Sequence, residues 1–385
     1  MENSNQISQA ELAANKERIV TIFRNFGFEI KSIEVTAGPK ISQYEIVLKA
    51  GVSISKVRNL EYDIMLSLAA TGMRMLAPIL RKKAIVIELP NNNPIEVSLQ
   101  SILTSKEFQN SPFDLPIILG ETFGNKNVIT DLAELPHLLV GGATGQGKSV
   151  FLHAIINSLL HKKRPEELKL VLIDIKNQEF SVYADLKNHF LAKQSNGESQ
   201  IISDTKKVIE TLNSLCQEMD NRYEILKQNN VLNLKEYNQL GKENLPYVVV
   251  VIDEFADLFA IAGKKIEMPL ASIAQLGRGV GIHLVIATQR ASANVIGAIK
   301  AYFPSKVVFR VSSMIDSRTI LDEPGANQLL GRGDMLFSQG NELVRIQSAF
   351  IDTPEIEKHV KSISEQPSVD DTFILPKISD NQQLS

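Results

Sequence analysis

The feature that most constrains this chain is a glycine-rich octapeptide, Gly142-Ala143-Thr144-Gly145-Gln146-Gly147-Lys148-Ser149, which fits the pattern G-x-x-x-x-G-K-[ST]. It stands between an apolar run, His137 to Val140, and a segment in which Phe151, Ala154, Ile155 and Leu159 share one helical face. Strand, loop and helix in that order are the context such a loop needs. Its glycines let the backbone wrap a triphosphate, with several N–H groups and the N-terminus of the following helix aimed at negative oxygens. Lys148 would neutralise the β- and γ-phosphates and the Ser149 hydroxyl would ligate Mg2+, so residues 142–149 with Val150 form the expected nucleotide-binding set.

The sequence on either side keeps an α/β rhythm, short apolar runs alternating with longer amphipathic ones, as in a parallel sheet with crossover helices. The expected strands are His137 to Val140, Leu168 to Asp174, Tyr247 to Asp253, Ile282 to Thr288, Lys306 to Val311 and Leu343 to Phe350. The clearest helix runs from Asp204 to Leu226, where Val208, Leu212, Leu215, Met219, Tyr223 and Leu226 form one apolar stripe.

A phosphate loop binds a nucleotide; hydrolysis also needs an acid to orient the metal and a group to activate water. Tyr247 to Ile252 is an apolar strand that delivers Asp253 and Glu254 to the carboxyl edge of the sheet, where ligands of open α/β folds collect. Asp253 would hold the Mg2+ shell through a water, and Glu254 would orient or deprotonate the attacking water. The next strand ends in Ala287-Thr288-Gln289-Arg290, which puts Gln289 at its tip as a γ-phosphate sensor. Arg278, in Gln275-Leu276-Gly277-Arg278-Gly279, is either a surface arginine or a finger that reaches a neighbouring subunit's nucleotide and stabilises transition-state charge.

Residues 12–115 read as a smaller α+β domain. A helix over Leu12 to Phe26, strands over Ile41 to Leu48 and Ala84 to Leu89, and a helical face of Ile54, Val57, Ile64 and Leu68 are its elements. It carries no phosphate loop, metal-ligand spacing or nucleophile–base pattern, and its Arg81-Lys82-Lys83 run reads as a solvated turn, so it is expected to act as a scaffold. The turn-rich stretch Ser111 to Pro116 marks the expected boundary with a second domain, 116–364. Residues 1–11 and 365–385 are polar and expected to be tails or linkers.

Lys plus Arg total 41 against 44 Asp plus Glu, a net charge of −3, which excludes a uniformly basic coat for nucleic acid. No apolar run approaches the ~18 residues that span a bilayer, and the N-terminal residues lack a secretory pattern. The lone Cys216 cannot form an intramolecular disulfide, so a reducing, cytoplasmic setting is expected.

Taken together, the segments resemble the motor region of the FtsK/SpoIIIE family of double-stranded DNA translocases. The likeness rests on Gly38-Pro39-Lys40-Ile41-Ser42-Gln43-Tyr44-Glu45 and Glu88-Leu89-Pro90-Asn91 before the phosphate loop. After it come Asp253-Glu254-Phe255-Ala256-Asp257-Leu258, Gly281-Ile282-His283-Leu284, Ala287-Thr288-Gln289-Arg290, Ile315 to Asp322 (IDSRTILD) and Gly333-Asp334-Met335-Leu336. The resemblance implies a RecA-like P-loop ATPase domain with a parallel central sheet, and an α+β domain forming a second tier of a homo-hexameric ring. It implies ATP and Mg2+ as cofactors and double-stranded DNA in the pore, in chromosome segregation and cell division.

By the same resemblance Arg278 becomes the finger acting in trans, while Arg290, Lys300 and Arg318 touch DNA phosphates. Full-length members are membrane-anchored at the inner membrane and divisome-associated, which makes this chain a motor fragment or a truncated relative. Ile175, Gly277, Gly279, Ala291 and Met314 depart from the usual family residues. A related ring ATPase moving protein cargo in a secretion system, and a docking module with an inactive nucleotide site, are the alternatives.

Overall fold

The computed structural model describes residues 9–69, 72–79, 84–194, 200–340, 342–367 and 373–377. The Arg81-Lys82-Lys83 run lies outside the described residues.

Toward the N-terminus a four-stranded antiparallel sheet has the order β1-β2-β4-β3, with β1 Ile30–Ala37, β2 Ile41–Leu48, β3 Arg74–Ile79 and β4 Ala84–Pro90. The helix Gln9–Asn25 packs on it through Ile19, Ile22 and Phe23, which share a core with Tyr44, Ile46, Ile64 and Ile87. That helix starts at Gln9, so the last three residues of the expected tail are helical. Between β2 and β3 the expected helical face is divided at Leu60 into the helices Ile54–Asn59 and Glu61–Leu68.

The second sheet has nine strands: β5 Pro116–Thr122, β6 Lys126–Asp131, β7 His137–Gly141, β8 Leu168–Ile173, β9 Tyr247–Ile252, β10 Ile282–Thr288, β11 Ser305–Phe309, β12 Asp334–Gln339 and β13 Glu342–Ser348. Their order is β6-β5-β13-β12-β11-β7-β10-β9-β8. The stretch β11-β7-β10-β9-β8 is parallel, as the sequence led us to expect. The other four strands extend it antiparallel, so the sheet is mixed, not wholly parallel.

Strand periodicity accounts for the two cores, one on each face of this sheet. Leu138 and Val140 of β7 and Val249 and Val251 of β9 point to one face, together with Phe151, Ile155 and Leu159 of the helix Lys148–Lys162. Leu139, Val248, Val250 and Ile252 point to the other, against Val208, Leu212, Leu215 and Met219 of the helix Thr205–Gln228. That helix begins where Asp204 accepts hydrogen bonds from the Lys206 and Lys207 amides, an N-cap contact worth about 1 kcal/mol. Tyr223, the one member of its stripe only half-buried, donates its hydroxyl to the Leu276 carbonyl.

Two segments lie elsewhere than expected. Val97, Leu99, Ile102, Phe108 and Leu115 are buried in the core of the larger sheet rather than with the smaller one. At the other end, the Leu375 amide donates to the Lys193 carbonyl (2.9 Å), Leu375 is buried, and Phe373 packs over the Arg222 guanidinium at 5.6 Å. Part of the expected C-terminal tail is thus a strap across the sheet edge beside β8. The two sheets are joined by a buried ionic cluster in which Arg345 of β13 donates to Asp334 of β12 (2.6 and 2.9 Å) and to Glu88 of β4 (2.5 Å).

Candidate nucleotide site

The phosphate loop leaves the carboxyl end of β7 and enters the helix Lys148–Lys162. Gly145 takes φ +73° and Gly147 φ +117°, and a Cβ on Gly147 would sit 2.8 Å from the Gly333 nitrogen, so these turns require glycine. The Gly333 amide in turn donates to the Gln146 carbonyl (2.8 Å), fixing the loop against the segment before β12.

Lys148 reaches across to β9, donating Nζ to the Asp253 carboxylate (2.8 Å) and to the Asp253 carbonyl (2.7 Å), with both side chains buried. Glu254 accepts from the Thr288 hydroxyl (2.7 Å) and from the Gln289 amide (2.9 Å). The tip of β10 therefore holds the second acid of the Asp-Glu pair in place. Gln289 accepts from the Thr144 hydroxyl (2.6 Å), which puts it against the phosphate loop. Lys148, Ser149, Asp253, Glu254 and Gln289, chosen from separate stretches of sequence, converge at one sheet edge.

A cavity of ≈ 620 Å³ opens over the loop, a volume suited to a nucleotide. Its lining includes four residues that sequence reasoning did not reach: Glu179, Glu96, Arg332 and Phe350, with Lys40 contributed by the smaller sheet's turn. Nothing local marks Glu96, Arg332 or Phe350, which come from loops and a strand end far along the chain. Glu179 had a signal, since it follows β8, whose carboxyl end lies beside that of β9. Its Oε1 accepts the Ser149 hydroxyl (2.8 Å), the group expected to ligate Mg2+. Ser149, Asp253 and Glu179 offer hard oxygen donors of the kind Mg2+ takes alongside phosphates.

Arg278 lies elsewhere. It sits in the turn Gly277–Val280, before the amino end of β10, and donates to Glu134 (2.8 Å). The length of β10, roughly 23 Å at ~3.3 Å per residue, separates it from the cleft of its own chain. Gly277 explains its departure from the family pattern: a Cβ there would meet the Ile282 carbonyl oxygen at 2.6 Å.

The remaining expected cations differ in their surroundings. Arg290 is exposed and 3.5 Å from Asp257, which also holds Lys176 (3.1 Å). Arg318 is exposed on the helix Met314–Leu321. Lys300 is mostly buried: its Nζ donates to the Thr319 carbonyl (2.8 Å) and Asp322 (2.6 Å), closing the end of that helix. The structure therefore ties Lys300 to its own fold instead of presenting it as a free phosphate contact.

At the amino ends of β7 and β10 a buried histidine pair sets the spacing. His283 Nδ1 donates to the Pro136 carbonyl (2.8 Å) and His137 Nδ1 accepts the Leu284 amide (3.0 Å). Burial pushes their pKa values down to about 3 for His137 and about 4 for His283, so both are neutral at pH 7. His153, behind the phosphate loop, is likewise lowered to about 4 by burial.

Comparison with known proteins extends this geometry. Residues 98–293 match the FtsK/SpoIIIE family and residues 1–91 match the FtsK alpha domain. The chain is 43% identical over 376 residues to a DNA translocase FtsK of Chlorobaculum tepidum, covering 96% of this chain and 47% of that protein. It is 41% identical over 374 residues to the DNA translocase SpoIIIE of Bacillus subtilis, covering 94% and 46%. The chain thus spans about half the length of the curated relatives it matches. Among solved structures, the conjugation coupling protein TcpA of pCW3 superposes with TM-score 0.63 at 23% identity, covering 91% of this chain and 99% of that one. The cytoplasmic domain of the Thermomonospora curvata type VII secretion ATPase EccC gives 0.62 at 24%, covering 74% and 36%. These two likenesses concern the fold. No helix among the described residues is long and apolar enough to cross a membrane.

Proposed function

The chain belongs to the FtsK/SpoIIIE family, and from that premise we propose that it is an ATP-driven motor that pumps double-stranded DNA through a homo-hexameric ring. The observation that carries the reading is the convergence of Lys148, Asp253, Glu254 and Gln289 on one cleft. With nucleotide bound, Lys148 moves from Asp253 to the β- and γ-phosphates. Ser149 and Asp253 would hold Mg2+, which would supply charge neutralisation of the transferring phosphoryl group. Glu254, held by Thr288 and the Gln289 amide, orients the attacking water, and Gln289 senses the γ-phosphate. Residues 142–150 wrap the triphosphate.

Arg278 completes the site of the next subunit. Its position before the amino end of β10, away from the cleft of its own chain, supports a role in trans. Arg290 and Arg318 are the cations that face DNA phosphates, a small set suited to sequence-indifferent contact, while Lys300 braces the helix that carries Arg318. We place the domain boundary between residues 91 and 97, because residues from Val97 on pack with the larger sheet. The smaller domain forms a second ring tier. The complete protein, by this reading, is anchored in the inner membrane, associates with the divisome and moves chromosomal DNA at division.

Measuring ATP turnover with and without linear duplex DNA tests the proposal. Strong stimulation by duplex is expected; a DNA-indifferent rate would point to protein cargo, and no turnover to an inactive docking module.

A further inference from the structure

Ser149 donates its hydroxyl to a carboxylate, Glu179, in a cavity that Lys40, Lys148 and Arg332 also line. Lys148 is matched by Asp253, which leaves Glu179 and the fully buried Asp174 as further carboxylates beside a cleft built for polyphosphate. We propose that Glu179 is a positioning residue that holds the Ser149 hydroxyl and so makes nucleotide binding metal-dependent. The inference rests on the nucleotide reading above and adds the regulation of that site.

The geometry has a fixed base and a free end. Asp174 Oδ2 accepts the amides of Glu179 (2.8 Å) and Phe180 (3.0 Å), and Phe180 is completely buried, so the backbone of this loop is pinned. The Glu179 carboxylate is not pinned: its side chain is 32% exposed and lies on the wall between the nucleotide cavity and a second one of ≈ 310 Å³. It can therefore swing while its Cα stays put. The nearest other titratable partner, His153, is 3.9 Å from Oε2 and is neutral at pH 7 through burial, so it does not cancel the carboxylate's charge.

Metal-free ATP brings about four negative charges into this corner and meets a carboxylate bonded to the hydroxyl its phosphates approach. With a divalent ion accompanying the nucleotide, Ser149 and Glu179 would offer their oxygens to it, and its charge would offset that of the Glu179 carboxylate. The pairing is invisible to a motif search because thirty residues separate the partners.

The test compares ATP dissociation constants in EDTA and in excess Mg2+ for the full chain and for Glu179→Gln, which keeps an oxygen for Ser149 but removes the charge. In the wild type Mg2+ should tighten binding strongly. In Glu179→Gln the ratio of the two constants should fall about tenfold, mainly because binding in EDTA improves, with an unchanged melting temperature. A ratio within about twofold of wild type in the folded variant would overturn the proposal. If Glu179→Gln does not fold, Glu179→Ala is read the same way, with the same expected and refuting ratios. Wild-type protein that binds ATP in neither condition would instead refute the nucleotide reading itself, so the two failures are distinct.

Discussion

Replacing Arg345 with methionine removes the cation at the centre of the cluster that joins the two sheets. Arg345, Glu88 and Asp334 are all buried, with side chains no more than 3% exposed. The variant leaves two carboxylates facing an uncharged thioether. Breaking a buried pair in this way costs about 3–5 kcal/mol, and Arg74, whose Nη1 lies 3.7 Å from Glu88, offsets part of it. The expected loss is therefore about 3 kcal/mol, or a fall in melting temperature of about 6–12 °C. The effect should reach the nucleotide: Asp334 also accepts the Leu330 amide (2.7 Å), which holds the segment whose Gly333 bonds the phosphate loop. Urea unfolding of Glu88→Gln, Arg345→Met and the double variant should show a coupling of about 1–2 kcal/mol, the double variant losing less than the sum. Additivity within about 0.5 kcal/mol, or an unchanged melting temperature in Arg345→Met, would refute the claim that this cluster is one unit.

Stability should be pH-dependent through His137, His283, His153 and His359, all lowered by burial to about 3 or about 4. The unfolded chain, with histidines near pH 6.5, binds protons that the folded chain refuses, so stability is full above about pH 6.5 and declines as pH falls toward 4; urea midpoints at pH 7 and pH 5 check this. Lys148→Ala should reduce MgATP affinity at least about 100-fold in equilibrium binding while retaining native circular dichroism. Arg278→Ala breaks only an exposed ion pair and should change stability by less than about 0.5 kcal/mol, yet abolish turnover; mixing it with Glu254→Ala subunits should restore some activity if the finger acts in trans. Cys216, half-buried with its thiol pushed up to about 11 by burial, should react with iodoacetamide far more slowly than free cysteine at pH 8.

How far the sequence reveals the molecule depends on the kind of signal. β7, β9 and β10 are continuous apolar runs because both faces of a parallel core are buried, and they lie where the pattern puts them. β6 was not legible because it is half-buried along most of its length, and β5 and β12 escape notice because their apolar runs, Ile117 to Leu119 and Met335 to Phe337, are only three residues long. The prolines and aspartate of Ser111 to Pro116 look like a domain junction, yet Phe108 and Ile117 on either side of that stretch belong to one core. Turn chemistry marks a bend and says nothing about which core its flanks enter. Within the site, residues carried by a motif or a strand tip were legible, while Glu96, Arg332 and Phe350 enter the cavity through tertiary packing alone. The net charge of −3 is compatible with the DNA contact proposed above, which would rest on a few exposed cations such as Arg290 and Arg318.

The central claim is that ATP hydrolysis in this cleft moves the protein along duplex DNA. Displacement of a third strand annealed to linear duplex measures such movement directly. Wild-type protein with ATP and Mg2+ should strip the third strand, and Glu254→Ala, expected to bind nucleotide without hydrolysing it, should not. Wild-type protein that hydrolyses ATP yet leaves the triplex intact, or a Glu254→Ala variant that still displaces it, would contradict the account.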